Sequence, residues 1–398
     1  MMGILARDNC MYVQMVHISR EGVKGLNLRR SFWLSGLLFV LFTSAPVSGQ
    51  EIKIKVENGV TVVHNPLKPA PPPGLPTRLV LREEIAIGNK EGREEDMLLQ
   101  PIDIDTDDDG NMYILDRKAL HIKVYDGQGQ LVRTIGKKGQ GPGEFQSPSD
   151  IQITPQKEIL VCDPVVRKLL FFRLDGSFLR ELSAGKMWLF GRAKVDSKGN
   201  VIGDHTIIDQ EARSDLIKFS PLLKPTFTIG SFPIAKPPVF NPYFPLVFFD
   251  VTQEDKIVWG ITTEYEFRVI NPDGQLVKRI LKDHRPERLT KEDQEKRSKE
   301  IWGDSPVPSD VRVDWPASFP AFQEFTMDDR GWLLVRTYEK TSDPKASSYD
   351  IFDGEGRYIA RILLAQSPRH WKKGKLYTIE EDEESYRSVK KYSVSWED

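Results

Sequence analysis

The chain has 398 residues, of which 39% are hydrophobic and 29% charged, with a formal net charge of -2. It holds enough apolar material for a sizeable core, and length alone suggests two or three domains. The near-neutral balance supplies no basic face to neutralise phosphates, which argues against nucleic acid as a partner.

Phe32 to Ala45 form a short apolar run behind Arg29 and Arg30, followed by the small residues Val47-Ser48-Gly49. The run falls short of the ~18–20 residues that cross a bilayer and leads into a polar segment, so it reads as a signal peptide cut near Gly49 or Gln50. A retained membrane anchor, which would make the protein a sensor or an anchored assembly subunit, is the alternative. Arg29-Arg30-Ser31-Phe32 also fits a twin-arginine export signal loosely, while the strongly apolar stretch behind it suits the general secretory route. The segment before Leu28 is long for a signal, and Met11 or Met15 is an alternative start. Residues 1–49 are set aside as signal peptide; the mature chain is expected in the periplasm or outside the cell, with no membrane span after cleavage. Of the two cysteines, Cys10 precedes the cut, so Cys162 remains as a lone thiol and neither a disulfide nor a Cys-based metal site is available.

Residues 50–76 come next. Ile52 to Val56 and Val60 to Val63 flank Glu57-Asn58-Gly59, and Asn-Gly between β-prone runs predicts a type I′ hairpin. Asn65 to Pro76 is rich in proline, which removes backbone donors and favours a semi-rigid extended strap.

From Thr77 to the end the text repeats itself. The fullest copy runs Pro101 to Asp105, Gly110 to Asp116, His121 to Tyr125, Asp126-Gly127-Gln128-Gly129, then Leu131 to Ile135: four short strands. A second runs Pro148 to Ile153, Glu158 to Asp163, Lys168 to Phe172, Asp175-Gly176, Phe178 to Leu182, so that Gly129 and Gly176 lie 47 residues apart. That interval matches a propeller blade. Weaker copies follow around Gly199 to Phe219, Lys256 to Gly274, Gly331 to Gly356 and Gly374 to Val394. The expected fold is all-β, a six-bladed β-propeller of four-stranded antiparallel blades over 77–398. Leu79 to Ile87 is a spare strand expected to complete the last blade and remove a free edge.

Gly136-Lys137-Lys138-Gly139-Gln140-Gly141-Pro142-Gly143-Glu144-Phe145, followed by Pro148 and an Ile-x-Ile strand, resembles the inter-blade segment of NHL-repeat propellers. The closing Leu376 to Glu380 and the Asn58-Gly59 start resemble a group of bacterial exported six-bladed propellers without assigned activities. The glycines from Gly136 to Gly143 lack the flanking strand, helix and lysine of a phosphate loop, so they read as a turn.

Asp105, Asp107, Asp109 and Gly110 mimic the start of a calcium loop, with Asp116 at the twelfth position. A strand from Asn111 to Asp116 would carry that carboxylate ~17–20 Å away, so a surface turn is the expectation. Six residues beyond each blade glycine, or its equivalent, lie Asp116, Asp163, His205, Ile261, Thr337 and Glu380, predicted to ring one rim. In the family that the chain resembles, such positions serve hydrogen bonds that hold the blade, and that role is what the resemblance implies for Asp116 and Asp163. The acidic run Glu380 to Glu384 is taken as a solvated loop.

Two long connections fall on the same rim: Phe232 to Pro245, rich in proline and aromatics, and a helical insertion, 282–317, between blades 4 and 5. In the latter Thr290 to Trp302 reads as a helix, with Thr290 as cap and Asp293 at capping-box spacing. Elaborated loops on a rigid scaffold carry recognition, so this face is the expected binding site, with Arg117, Lys118, Arg167 and His205 as polar contributors. The functional expectation is a monomeric, non-enzymatic binding or scaffold propeller for a protein, peptide or glycan, with no catalytic set, no metal and no cofactor. The alternative is a metal-dependent hydrolase or lyase of the gluconolactonase, paraoxonase or peptidyl-lyase propeller kind. For that chemistry the inner strands offer Asp103, Asp150 and Asp250 without a matching Asn or His set.

Overall fold

The computed structural model describes residues 51–88, 97–183, 191–207, 212–235, 238–343 and 345–397. The predicted signal peptide, residues 1–49, lies outside them. Six four-stranded antiparallel sheets form the body, each running from an innermost to an outermost strand. Blade 1 is Pro101–Thr106, Met112–Asp116, His121–Tyr125 and Leu131–Ile135. Blade 2 is Asp150–Ile153, Glu158–Asp163, Lys168–Arg173 and Phe178–Ser183, and blade 3 is Ala193–Val195, Val201–Ile207, Arg213–Phe219 and Pro225–Pro233. Blade 4 is Val247–Val251, Ile257–Ile261, Glu266–Ile270 and Leu276–Lys282, and blade 5 is Glu324–Met327, Leu333–Arg336, Ser347–Phe352 and Tyr358–Leu364. In blade 6, Pro368–Lys372, Lys375–Glu381 and Arg387–Glu397 are joined by Arg78–Ile87 from the other end of the chain.

The predicted six-bladed ring, closed by an amino-terminal strand, is therefore present. Trp396 pairs with Leu79 and Val389 with Ile87 in that closing ladder. Blade sheets alternate their side chains across two faces, and each face must be covered by a neighbour. Accordingly the buried apolar residues fall into six clusters, one at each seam. At the seam of blades 1 and 2, for example, Tyr113, Leu115, Ile122 and Val124 meet Ile151, Ile159, Val161, Leu170 and Phe172.

The glycine-rich link ahead of blade 2 is architecture. Phe145, fully buried, packs edge-on against Phe172 with ring centres 5.8 Å apart, and its backbone bonds back to Lys137. Gly136 makes room for it: its φ is +77°, and a Cβ there would lie 2.3 Å from the Phe145 ring.

The hairpin forms at Asn58-Gly59, both with positive φ as a type I′ turn requires. Its destination is not legible in the sequence. Val60–Asn65 pairs in parallel with Leu276–Lys282, so blade 4 grows to six strands with Lys53–Glu57 outermost. The proline strap then crosses blade 5, where the Ala70 N–H donates to the Tyr358 carbonyl at 3.0 Å, and reaches blade 6, where Thr77 donates to Glu397 at 3.0 Å.

The two long connections join one another. Val239–Phe240 forms a short parallel ladder with Arg312–Val313. Helix α1, Lys291–Trp302, starts at Thr290 with the predicted reciprocal capping box to Asp293. Arg297 on its inner face donates to the Pro242 carbonyl at 3.3 Å, and Trp302 packs against Phe240 with ring centres 5.6 Å apart. Tyr243 is surrounded by Trp315, Phe319 and Tyr338, the last on a loop of blade 5. Together these contacts make one wall on the blade 4 and 5 side of the rim.

Candidate functional site: the channel and its mouth

Innermost strands descend from the rim that carries the insertions, so earlier residues lie nearer that rim. Register against the second strands sets Asp103, Asp150, Phe248 and Glu324 at one level, with Arg192 just before its strand completing it. Two residues deeper, Asp105, Gln152, Lys194, Asp250, Thr326 and His370 form a second level. The channel opens toward the insertion rim in a cavity of about 830 Å³. Toward the opposite face, among the short turns, lies one of about 1090 Å³. Asp105, Lys194, Asp250, Met327, His370 and Trp371 line both and form the waist.

Most of these carboxylates brace the ring. Asp103 accepts the N–H groups of Ile104 at 2.9 Å and of Ile151, in blade 2, at 3.0 Å. Asp105 accepts those of Thr106 at 2.6 Å and Ile153 at 2.7 Å. The same device continues from blade 2 to blade 3, where Asp150 accepts from Ala193 at 3.3 Å and Gln152 from Val195 at 2.7 Å. The innermost strands of blades 1 and 2 thus each hold the next by side-chain bonds, where no backbone ladder joins one innermost strand to its neighbour.

Blade 3 substitutes Arg192 and Lys194 at the bracing positions. Burial alone would lower the Lys194 pKa, but the charges of Asp150, Asp250, Asp103 and Asp105 hold it above its ordinary value. Its ammonium is therefore a fixed cation at the waist. Asp150 is pushed up to about 7, first by burial and then by Asp103, against the pull of Lys194. Burial lowers the His370 pKa against the opposing charge of Asp105; its Nε2 lies 2.9 Å from Thr106 Oγ1 and 3.2 Å from Asp105.

This arrangement does not suit a divalent metal. Asp103 and Asp105 spend both oxygens on backbone donors, and Lys194 brings a positive charge among the four aspartates. Among the described residues no three His, Cys, Asp or Glu side chains converge as a metal-binding set. Asp107 is likewise engaged by its own turn, accepting from Asp109 at 3.0 Å, Asn111 at 2.9 Å and Tyr113 at 3.1 Å.

The rim residues divide by role. Asp116 accepts from Leu99, Gln100 and Ala119, and Asp163 from Gln146, Ser147 and Val166, so both tie inter-blade links to their own blades. Arg117 lines the mouth cavity and donates to the Pro148 carbonyl at 3.2 Å. Lys118 beside it is exposed, and Arg167 holds the matching turn of blade 2 with φ of 56°. His205 is only 5% exposed and sits in a strand opposite Asp215. The four expected contributors are thus spread over three blades.

His370 and Arg369 were missed by sequence reasoning. Reading the sixth copy from Gly374 onward leaves its innermost strand, Pro368–Lys372, unassigned; counting back from Gly374, as from Gly110 to Asp105, reaches it.

A family profile described as a 6-bladed beta-propeller (DUF5128) matches residues 93–187. No curated protein matches the chain in sequence. Among solved structures, a Bacteroides fragilis protein described as exported superposes with a TM-score of 0.53 at 13% identity, covering 85% of this chain and 100% of that one. A member of the DUF4221 family from Bacteroides vulgatus gives a TM-score of 0.51 at 11% identity, covering 81% and 100%. A virginiamycin B lyase from Staphylococcus aureus gives 0.43 at 11% identity, covering 79% and 99%, too loose a likeness to bear on activity. The similarities establish the propeller fold. Among the described residues no helix is long and apolar enough to cross a membrane.

Proposed function

We propose that this chain is a non-enzymatic recognition module of the periplasm or extracellular space, which takes its ligand at the channel mouth on the insertion-bearing rim. The observation that carries this reading is the pairing of a cavity of about 830 Å³ with a built wall on the same rim. The volume falls within the range of sites that enclose small ligands or chain segments. Of the proposed ligands, protein, peptide and glycan, a peptide segment fits best. The mouth carries both signs, with Arg117, Arg192 and Arg369 facing Glu324, Glu380 and Glu381, and has Phe248 and Trp371 as apolar surface. Arg117 is the inner contact and Lys118 and Arg167 are outer ones. His205, being buried, supports its strand instead of touching ligand. The bracing role of the channel carboxylates supports binding over hydrolysis or elimination.

The test is a peptide array and a glycan array probed with residues 51–398, in parallel with a variant in which 283–317 is replaced by a short linker and whose melting temperature is checked. Peptide hits weakened tenfold or more by the replacement support the reading. Hits confined to glycans, peptide binding indifferent to the replacement, or chemical conversion of the bound peptide would overturn it.

A further inference from the structure

Most cations at the mouth are committed. Arg336 reaches Glu324 at 3.3 Å and Ser347 at 2.9 Å, Arg387 reaches Glu381 at 3.1 Å, and Lys345 reaches Glu383 at 2.9 Å. Arg369 differs. Among the described residues its guanidinium has neither an ion pair nor a hydrogen bond, and its Nε is shielded from solvent with no acceptor. A guanidinium keeps its charge at all relevant pH values, and a buried donor left unsatisfied costs free energy.

A second donor of the same kind stands close by. Tyr349, in blade 5, is 3% exposed, and its hydroxyl also has no partner among the described residues. Burial and the Glu324 charge raise the pKa of that hydroxyl, and the charges of Arg336 and Arg369 oppose the rise. Arg336, the cross-strand partner of Tyr349, and Arg369 both line the mouth cavity, while the Tyr349 ring lies behind its wall in the apolar seam of blades 5 and 6. A guanidinium short of acceptors is complementary to an oxyanion.

The surroundings select the kind of oxyanion. Glu324 and Glu380 to Glu383 line the same cavity and would repel a dianion such as phosphate. A carboxylate, with a single charge and a planar pair of oxygens, matches one guanidinium face. The acidic stretch in turn favours a positively charged or amide-rich chain behind that carboxylate. We propose that Arg369, with the Arg336 charge in support, binds the free carboxyl terminus of a peptide at the channel mouth. This rests on the peptide-recognition reading above and deepens it.

Two hexapeptide libraries, identical except that one ends in the free acid and the other in the carboxamide, are panned against the intact protein, and enriched pairs are measured by titration. The free acids should bind at least tenfold more tightly. R369Q should remove that preference without altering circular dichroism or melting temperature, and R369K should keep part of it. Equal binding of acid and amide forms would overturn the carboxylate site while leaving peptide recognition standing. A preference that survives R369Q would place the site elsewhere. Binding of neither library would sink the recognition reading, and this inference with it.

Discussion

The N–H of Tyr358, which opens the outer strand of blade 5, donates to the side-chain oxygen of Asn65 at 2.7 Å, across 293 positions of sequence. The Asn65 amide group in turn donates to the carbonyls of Leu281 at 3.0 Å and Gly356 at 2.9 Å. One side chain, 1% exposed, thus satisfies backbone groups of both blades 4 and 5. Replacement with alanine removes the Asn65 partner of three backbone groups, two of them buried, each bond worth about 1 kcal/mol or more. N65A should lose about 2–4 kcal/mol by urea denaturation, whereas alanine at the exposed Lys53 should change little.

A buried ionic knot joins the same two blades. Asp350, fully buried, lies 3.4 Å from Lys282 Nζ and accepts from Arg361 at 2.7 Å, from Tyr358 at 2.7 Å and from the Tyr265 hydroxyl. Burial alone would raise its pKa, but Lys282 and Arg361 hold it below the ordinary value. A depressed carboxylate contributes stability that is present above the unfolded pKa of about 3.9 and lost as pH falls through the lower folded value. D350A should cost about 3–5 kcal/mol at pH 7, because it strands Lys282 among Tyr265 and Tyr358. Calorimetry between pH 2 and pH 6 should show a flatter acid limb for D350N than for the parent, on the order of 1–2 kcal/mol.

Asp150 has the opposite sign. With a folded pKa of about 7, its contribution is fully present below the unfolded value of about 3.9 and is lost as pH rises through about 7. D150N should mimic the protonated form, keep its acceptor for the Ala193 N–H, and gain on the order of 1–3 kcal/mol at pH 8 over the parent. At pH 4 the two proteins should be nearly equal. Denaturant midpoints at both pH values decide it, and a variant less stable than the parent at pH 8 would show that the Asp150 charge pairs usefully with Lys194.

At Gly136 an alanine must adopt the left-handed backbone and push against Phe145. G136A should destabilise by about 2–4 kcal/mol, which thermal melts would register as a lowered transition. F145A should lose about 3–5 kcal/mol at the same seam. Pairing the two removes the clash, so the double variant should lose less than the sum of the single losses.

How far the sequence anticipated this molecule depends on which residues carried a local signal. Blades 1 and 2 were readable because turn glycines such as Gly129 and Gly176 must take positive φ, and because Asp116 and Asp163 recur for one hydrogen-bonding purpose. The closing strand was readable as an alternation left without a partner. Blade 3 was blurred because Arg192 and Lys194 stand where Asp103 and Asp105 brace blade 1 and Asp150 and Gln152 brace blade 2, so its inner strand lacked the expected letters. The hairpin turn was local and legible; its parallel docking on Leu276–Lys282 depends on a surface made elsewhere and left no trace near Val60. Of the channel, Asp103, Asp150 and Asp250 were legible as inner-strand residues, whereas Lys194 and His370 were not, since they join them only when the ring closes.

Residues before the first blade are stitched to its last three: Val60–Asn65 to blade 4, Ala70 to blade 5, and Arg78–Ile87 to the final strand Arg387–Glu397. A chain delivered amino end first, whether by a ribosome or through a pore, cannot seat these segments until almost its whole length has emerged. Closure of the ring is thereby a terminal event in time as well as in space, and contacts this distant in sequence make it a slow one. Until then the leading end stays unsealed, and the polypeptide remains in a form that can still be threaded.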